Sequence, residues 1–380
     1  MTSKEQNLRI FKKDDNCGVL WQPRLNNWFQ LHSAEGTHLE RHYGKSILEV
    51  HDNLCASIRA YMYFRKAFYP VYDKNLTFCE EDTPKGIYKE FRTPFGILDG
   101  FYRKTREGFC WEKHYITNPE EIKIMQYILE GVHYVFDMEI YSRGCEAVGE
   151  RCAEQTMVPR IGFQEINVNL MGLENATYAF FDYPEQMERL QETINKSYDT
   201  LFEAICSSPI SIVNFGDNIH CDLTPPPTFE RYILPWYQKR TGQLRNAGKY
   251  SNAHWDGSVK TLLKYAKLTG LDGIEAITPL PQGDVTIEET AEELKDMILL
   301  DGIPAIYFLK DFDIKVLEDY VHNIIELFKD RLILGISDEM PGDGDIERVA
   351  FVSGLVEKSN RRKGYDRKGK GSTGAKEQGI

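Results

Sequence analysis

The fold is decided by one stretch, residues 250–284, which reads YSNAHWDGSVKTLLKYAKLTGLDGIEAITPLPQGD. It begins with a short strand-like run, continues with helical apolar spacing over 259–268, and turns through a Gly-Leu-Asp-Gly sequence into a second apolar run at 274–277. Strand, helix and strand in this order predict a parallel α/β unit, in which polar side chains gather where the strands end. The polar residues at those two strand ends are His254, Asp256, Glu275 and Thr278.

Strand-like and helix-like patterns alternate along the rest of the chain, which favours a single (β/α)8 TIM barrel over residues 1–360, with an N-terminal helical extension. The segment 86–103 alternates apolar and polar residues around a Pro-Phe-Gly turn and predicts an antiparallel β-hairpin inserted in the barrel. Predicted strands cover 17–23, 66–72, 157–164, 210–216, 303–309 and 331–337, and predicted helices cover 47–63, 119–129, 135–151, 184–207, 287–300 and 314–328.

The composition describes a globular chain and excludes several classes of protein. With 380 residues, 42% hydrophobic and 27% charged, the chain is long enough for one large core. The net charge is −12, and the basic, glycine-rich segment 361–380, predicted to be a flexible tail, leaves the remainder more negative still, which disfavours nucleic acid as a partner. No run of roughly 18 apolar residues and no signal-peptide core occur, so we expect a cytoplasmic protein without membrane association. Eight singly scattered cysteines indicate reduced thiols.

Several motifs follow one another in an order typical of one superfamily. They are Asn214-Phe215-Gly216-Asp217-Asn218 with the proline loop at 225–229, His254-x-x-Gly257, Asp272-Gly273 leading to Gly283-Asp284, and Gly335-Ile336-Ser337 before Pro341. Together they resemble the uroporphyrinogen decarboxylase superfamily over most of residues 15–357. The resemblance implies a (β/α)8 fold and one of two activities: cofactor-free decarboxylation of a porphyrinogen, or methyl transfer to or from corrinoid proteins.

Departures from the family pattern disfavour porphyrinogen decarboxylation. Decarboxylases of the family carry an arginine-rich segment of the form RQAGR after the first strand, where this chain has Arg24 as its one arginine within 22–27. They also carry a histidine in a GHG-like turn after the last strand, where this chain reads Gly-Ile-Ser-Asp. An acidic rim would further repel a substrate with many carboxylates. The residues predicted to form that rim are Asp217, Asp256, Asp338 and Glu339.

A metal site is a second implication of the resemblance. Coenzyme M methyltransferases of the family bind zinc through His-x-Cys and a later cysteine, and zinc with thiolate ligands activates the thiol acceptor. Here His254 keeps the first position, Asp256 replaces the first cysteine and Asp338 aligns with the second. One histidine with two carboxylates can bind zinc, although it is a harder ligand set than the thiolate one.

The remaining branch of the family demethylates a small substrate, such as a methoxylated aromatic, and hands the methyl group to a separate corrinoid protein. Breaking a methyl ether needs an acid or Lewis acid at the departing oxygen, while cob(I)alamin supplies the nucleophile. The candidate acids are His254, Asp217, Glu165 and Glu339, and the candidate substrate-binding residues are Trp21, Arg24, Asn214, Glu275 and Tyr307. Aromatic residues predicted near strand ends suit a flat apolar ring: Trp21, Phe163, Phe215, Trp255, Tyr307 and Phe308.

Other interpretations stay open at this point. The same fold could carry a decarboxylase or lyase of a small acid with Arg24 on the carboxylate, or a non-catalytic barrel that binds a small ligand or a corrinoid partner. Asp217 and Asp256 could be helix N-caps, and Glu165 and Glu275 could be members of structural ion pairs. The sequence also leaves open whether the chain forms a homodimer.

Overall fold

The fold is built around one curled, all-parallel sheet of seven strands. A computed structural model describes residues 1–40, 43–105 and 108–362, so the predicted tail lies outside the described residues beyond position 362. Within these ranges the strands are β1 (Leu20–Trp21), β2 (Phe68–Val71), β3 (Thr77–Thr83), β4 (Gly86–Thr93), β5 (Gly96–Thr105), β6 (Gly108–Lys113), β7 (His133–Phe136), β8 (Gln155–Val158), β9 (Ile212–Ile219), β10 (Tyr250–Trp255), β11 (Gly273–Glu275), β12 (Ile298–Pro304) and β13 (Leu332–Ser337). The seven-stranded sheet has the order β1-β13-β12-β11-β10-β9-β8.

Residues 56–60, which belong to no helix or strand, connect the two outer edges of this sheet through Ser57. The backbone N–H of Ser57 donates to the carbonyl of Trp21 in β1 (2.8 Å), and its hydroxyl donates to the carbonyl of Arg151, just before β8 (2.6 Å). The curled parallel sheet is therefore consistent with a TIM-like barrel, while a complete ring of eight strands stays a prediction.

Helices cover the outside of the sheet, and their ends follow from local sequence signals. The helix Pro119–Glu130 has a capping box between Asn118 and Glu121, and the predicted helix Ile314–Phe328 is confirmed, capped by Asp313. The helices are α1 (Ser3–Phe11), α2 (Asn26–Glu35), α3 (Thr37–Glu40), α4 (Ile47–Asn53), α5 (Tyr61–Phe64), α6 (Pro119–Glu130), α7 (Met138–Val148), α8 (Gly162–Glu165), α9 (Leu173–Asp182), α10 (Pro184–Ser197), α11 (Asp199–Ser207), α12 (Pro226–Thr228), α13 (Leu234–Asn246), α14 (Ile287–Leu294), α15 (Ile314–Phe328) and α16 (Ile346–Arg362).

The predicted hairpin is confirmed and belongs to a larger insertion. Strands β4 and β5 pair antiparallel and meet at the turn between Thr93 and Gly96. Strand β3 pairs with β4 and β6 with β5, so the insertion is a four-stranded antiparallel sheet. A separate antiparallel pair joins β2 to β7. The strand predicted at 66–72 therefore exists but lies outside the parallel sheet.

Several predicted boundaries were wrong, and the errors share a cause. The helix predicted over 287–300 ends at Leu294, and the next strand covers Ile298–Pro304 instead of 303–309. The helix predicted over 47–63 ends at Asn53, and the strand predicted over 157–164 ends at Val158. Short apolar runs that are buried on both faces satisfy helical and strand patterns equally, so periodicity alone does not separate them. No helix among the described residues has the length and apolarity needed to cross a lipid bilayer.

Candidate active site

A cavity of about 580 Å³ opens where the parallel strands end. Strand β10 contributes His254, β11 contributes Glu275, and the segments just after β8 and β13 contribute Arg160 and Asp338. The inserted sheet contributes further lining residues from β3 and β4, so the insertion forms part of the cavity wall. Of the predicted site residues, the cavity is lined by Arg24, Glu165, His254, Glu275 and Asp338.

His254 is buried, with 6% of its surface exposed. Its Nδ1 lies 2.9 Å from Oε1 of Glu275, and its Nε2 lies 3.5 Å from Oδ1 of Asp338. Burial by itself lowers the pKa of His254, but the hydrogen bond to Glu275 and the charges of both carboxylates outweigh burial and raise that pKa above its ordinary value. The imidazole can therefore hold a proton at the cavity wall, as a general acid must.

Glu275 is held ionised by four hydrogen-bond donors. Besides His254, its carboxylate accepts from the Arg59 guanidinium (3.1 Å), the Tyr61 hydroxyl (2.6 Å) and the Asn252 amide (3.1 Å). Burial tends to raise the pKa of Glu275, yet the charge of Arg59 and the hydrogen bond from His254 bring it well below its usual range. A fixed negative charge thus lies behind the imidazole and orients it.

A second carboxylate completes the buried ion network below the cavity. Arg59 makes two parallel bonds to Asp301, each 2.8 Å long, in the geometry that guanidinium and carboxylate groups prefer. A side chain at Gly335 would overlap the Asp301 carboxylate, so this position of β13 is restricted to glycine. Asp301 itself has a left-handed backbone, with φ of 76°. Arg59 is therefore fixed beneath Glu275 by groups from β12 and β13.

Arg24 lies beside His254 but is already paired with carboxylates. Its guanidinium bonds to Asp338, and its Nε lies 3.3 Å from Oε1 of Glu339. Its Nη1 lies 3.5 Å from Nδ1 of His254. Burial opposes the charge of Arg24, but the two carboxylates raise its pKa well above the ordinary value. Arg24 therefore lines the cavity with its charge already met by two carboxylates, and its role in substrate binding stays a prediction.

The predicted metal ligands do not fit a zinc site in this arrangement. Within the described ranges, no group of three or more His, Cys, Asp or Glu residues is arranged to hold a metal ion. The guanidinium of Arg24 already brings a positive charge to Asp338 and His254, the first and last of the predicted ligands. Asp256 is half-buried, and burial raises its pKa. The guanidinium of Arg24 therefore supplies the positive charge at the place where the sequence predicted a metal ion.

Glu165 faces the same cavity from the end of α8. Its carboxylate accepts a hydrogen bond from the Asn169 amide at 2.8 Å. Burial raises the pKa of Glu165, and the opposing effects of Asn169, Arg160 and Arg65 do not offset this. Glu165 therefore holds its proton to higher pH than an ordinary glutamate, which suits a second proton donor in the cavity.

Asp217 is not one of the residues that line the cavity, although its neighbours Gly216 and Asn218 are, and its hydrogen bonds are with the fold itself. Fully buried, it accepts hydrogen bonds from the Ile161 backbone N–H and the Tyr237 hydroxyl, both at 2.8 Å. These bonds tie β9 to the segment before α8 and to α13. Since Asp338 is paired with Arg24, the acidic rim predicted from the sequence does not form.

The remaining predicted substrate-binding residues and aromatic residues lie in the interior. Asn214 is fully buried in β9, and its amide oxygen and nitrogen lack partners within the described chain. The six aromatic residues predicted to flank the substrate, among them Trp21 and Tyr307, all pack in the hydrophobic core. Glu339 pairs with Arg24 outside the set of lining residues. The aromatic wall of the cavity is instead formed by Tyr61, Tyr72, Phe78, Phe91, Tyr115, Tyr134 and Tyr198.

Comparisons with known proteins support the fold. No family model and no curated protein matches the sequence. The structure is similar to a methyltransferase from Methanosarcina mazei, with a TM-score of 0.60 and 11% identity, covering 94% of this chain and 99% of that one. It also matches a putative vitamin-B12-independent methionine synthase from Listeria monocytogenes (TM-score 0.41, 11% identity, 91% and 96% covered) and a B12-independent methionine synthase from a Shewanella species (0.38, 8%, 91% and 95%). At 11% identity, the likeness to the Methanosarcina mazei methyltransferase shows a shared fold and nothing further.

Proposed function

We propose that the chain is a methyltransferase that takes a methyl group from a small methylated molecule, such as a methoxylated aromatic, and passes it to a corrinoid protein. The observation that carries the proposal is the buried His254–Glu275 pair facing a cavity with an aromatic wall. A methyl ether presents a poor leaving group, and this pair supplies the proton that improves it. We also propose that residues 56–60 complete the barrel as its missing strand.

The protein's part in the reaction is proton transfer and positioning. When the methyl group leaves, the electron pair of the C–O bond stays on oxygen, and His254 gives that oxygen a proton to form the alcohol or phenol. The corrinoid, when bound to its carrier protein, supplies the two electrons that form the new bond to the methyl carbon. Glu275 stabilises the protonated imidazole before the transfer, and Arg59 keeps Glu275 ionised.

The aromatic wall provides the second part of the argument. The inserted sheet brings Phe78 and Phe91 over the cavity, and Tyr115 follows its last strand. Phe91 is in contact with the ring of Tyr115 at a centroid distance of 5.6 Å. Such a wall favours a flat apolar substrate and excludes water from the proton donor, which strengthens the electrostatic interactions inside.

The proposal is tested by mixing purified protein with a reduced corrinoid protein and a panel of methoxylated aromatics. The absorption spectrum of cob(I)alamin should change to that of the methylated corrinoid. The variant His254→Phe, once circular dichroism has shown that it is folded, should lose this change, while Arg143→Met, which alters an exposed ion pair with Glu139, should retain it. An unchanged spectrum with every donor in a panel of methyl ethers, amines and thioethers would refute the proposal.

The same experiment separates the alternatives. Release of carbon dioxide without any corrinoid would indicate a decarboxylase of a small acid. Ligand binding that is independent of His254, with no product formed, would indicate a non-catalytic barrel.

A further inference from the structure

Arg160 is a cavity residue that forms no ion pair with any of the described residues. It follows β8 by two residues and is half-buried. Among the described residues its one hydrogen bond is weak, from Nη2 to the Asn218 side-chain oxygen at 3.5 Å, and its buried Nε has no hydrogen-bond partner there. Leaving a buried charged donor unsatisfied costs free energy, so such groups usually meet a ligand or water.

A second arginine, Arg65, lies in the same cavity. Arg65 lines the cavity from the turn after α5 and, within residues 1–40, 43–105 and 108–362, has no ion-pair partner. The other cations of the cavity are engaged: Lys89 pairs with Glu80 at 3.1 Å, and Arg24 pairs with Asp338. The side of the cavity near β8 therefore carries two arginines that form no ion pair among the described residues. Glu165 shares the cavity with them, but burial raises its pKa, so it neutralises their charge less than an ordinary glutamate would.

This charge lies apart from the proton donor. Arg160 follows β8 and His254 belongs to β10, with β9 between them. Because neighbouring strands are about 4.8 Å apart, the two sites are separated by roughly 10 Å along the sheet. The long side chain of arginine shortens this gap, and a small molecule can reach both groups at once.

We propose that Arg160, assisted by Arg65, binds the carboxylate of the substrate, so that the methyl donor is a small aromatic acid. This inference deepens the proposed function and rests on it for the identity of the other end of the substrate. A guanidinium presents parallel N–H donors that match a carboxylate, and the buried Nε gains the partner it lacks. The carboxylate then fixes the ring against the aromatic wall with its methoxy group toward His254.

The test is calorimetric titration with meta-methoxybenzoate and with its neutral amide, meta-methoxybenzamide. The wild type should bind the acid at least about tenfold more tightly than the amide, because a hydrogen bond to a charged group is worth that much. Arg160→Met should lower the affinity for the acid by about 10- to 100-fold and leave the affinity for the amide unchanged. Arg160→Lys should recover part of the lost affinity. The surface variant Arg143→Met should bind both as the wild type does, and circular dichroism should show that every variant is folded.

Three outcomes would overturn the inference. They are equal affinity of the wild type for acid and amide, unchanged affinity of Arg160→Met for the acid, and no binding of the acid by folded wild type at millimolar concentration. Failure of the proposed function gives a different result. If the acid binds in a way that depends on Arg160 but no methyl group is transferred, the carboxylate site is supported and the methyltransferase activity is refuted. Methyl transfer from the acid that is unaffected by Arg160→Met would retain the transferase and refute the carboxylate site.

Discussion

Replacing Glu275 by glutamine should damage the stability of the protein and the acid function of His254 together. The carboxylate is 1% exposed and meets four donors, two of which are Arg59 and His254. The glutamine keeps one oxygen as an acceptor but turns an amide N–H group toward groups that themselves donate. Removing one member of a buried ion pair costs about 3 to 5 kcal/mol, a large part of a typical total stability of about 5 to 15 kcal/mol.

The loss should depend on pH in a defined direction. The raised pKa of His254 stabilises the folded state fully below the pKa of an unfolded histidine, about 6.5, and this contribution disappears as pH rises through the folded-state value. The lowered pKa of Glu275 contributes stability above the pKa of an unfolded glutamate, about 4.3, which is lost on acidification. The difference between wild type and Glu275→Gln should therefore be largest at about pH 5 to 6 and decrease toward higher pH.

Urea unfolding of the two proteins at a series of pH values measures this difference. The control is Glu139→Gln, on the exposed face of α7, whose free energy of unfolding should lie within about 0.5 kcal/mol of the wild-type value. In methyl transfer, kcat of Glu275→Gln should fall about 100-fold, and the alkaline limb of its pH profile should move to lower pH because the pKa of His254 falls. A destabilisation below about 1 kcal/mol, or an unmoved alkaline limb, would refute the assigned role of Glu275.

Three further substitutions separate structural from catalytic residues. Asp217→Asn should destabilise the fold by about 1 to 3 kcal/mol, through its bond to Tyr237, with kcat unchanged; a fall in kcat with intact stability would contradict this assignment. Tyr61→Phe should cost about 1 to 3 kcal/mol in urea unfolding because Glu275 loses a 2.6 Å donor, and an unaltered midpoint would show that the bond contributes nothing. Asn214→Leu should raise the thermal unfolding midpoint, since two buried polar atoms without partners are replaced by a side chain of similar size; a lowered midpoint would show that these atoms have a partner.

Part of the site was predictable because strand ends carry chemistry in parallel α/β folds. His254 and Glu275 were predicted from the unit at 250–284, and the register places them side by side on β10 and β11. Glu165 and Asp338 also line the cavity. Asp217 satisfies the same sequence rule but turns inward to Tyr237, because a residue at a strand end can face either side.

The rest of the network was missed for two reasons. Arg59 was assigned to a helix over 47–63, although that helix ends at Asn53 and Arg59 lies between it and the next helix, Tyr61–Phe64. Asp301 fell between the helix predicted over 287–300 and the strand predicted over 303–309, because that strand was placed five residues too late. The signal available in the sequence was that Arg59 and Asp301 each lie among apolar residues. A charged side chain in such a run is usually buried together with a partner of opposite charge. Their contact joins distant parts of the chain, which periodicity does not reveal.

The aromatic wall shows a third limit. The sequence placed the candidate rings on the barrel strands, where they pack in the core, whereas the cavity takes several rings from the inserted sheet and its flanks. Hairpin prediction gives the pairing of β4 and β5 but not the direction in which the sheet folds over the barrel.

The most direct test of the central claim is a single-turnover experiment with meta-methoxybenzoate whose methyl carbon is labelled with carbon-13, in the presence of a reduced corrinoid protein. Carbon-13 NMR should show the labelled methyl group on cobalt, and an equal amount of meta-hydroxybenzoate should be formed. The rate of transfer should fall at least about 100-fold in His254→Phe and be unchanged in Glu139→Gln. Label that stays on the substrate oxygen with folded wild-type enzyme, or transfer that is as fast without His254, would contradict the account.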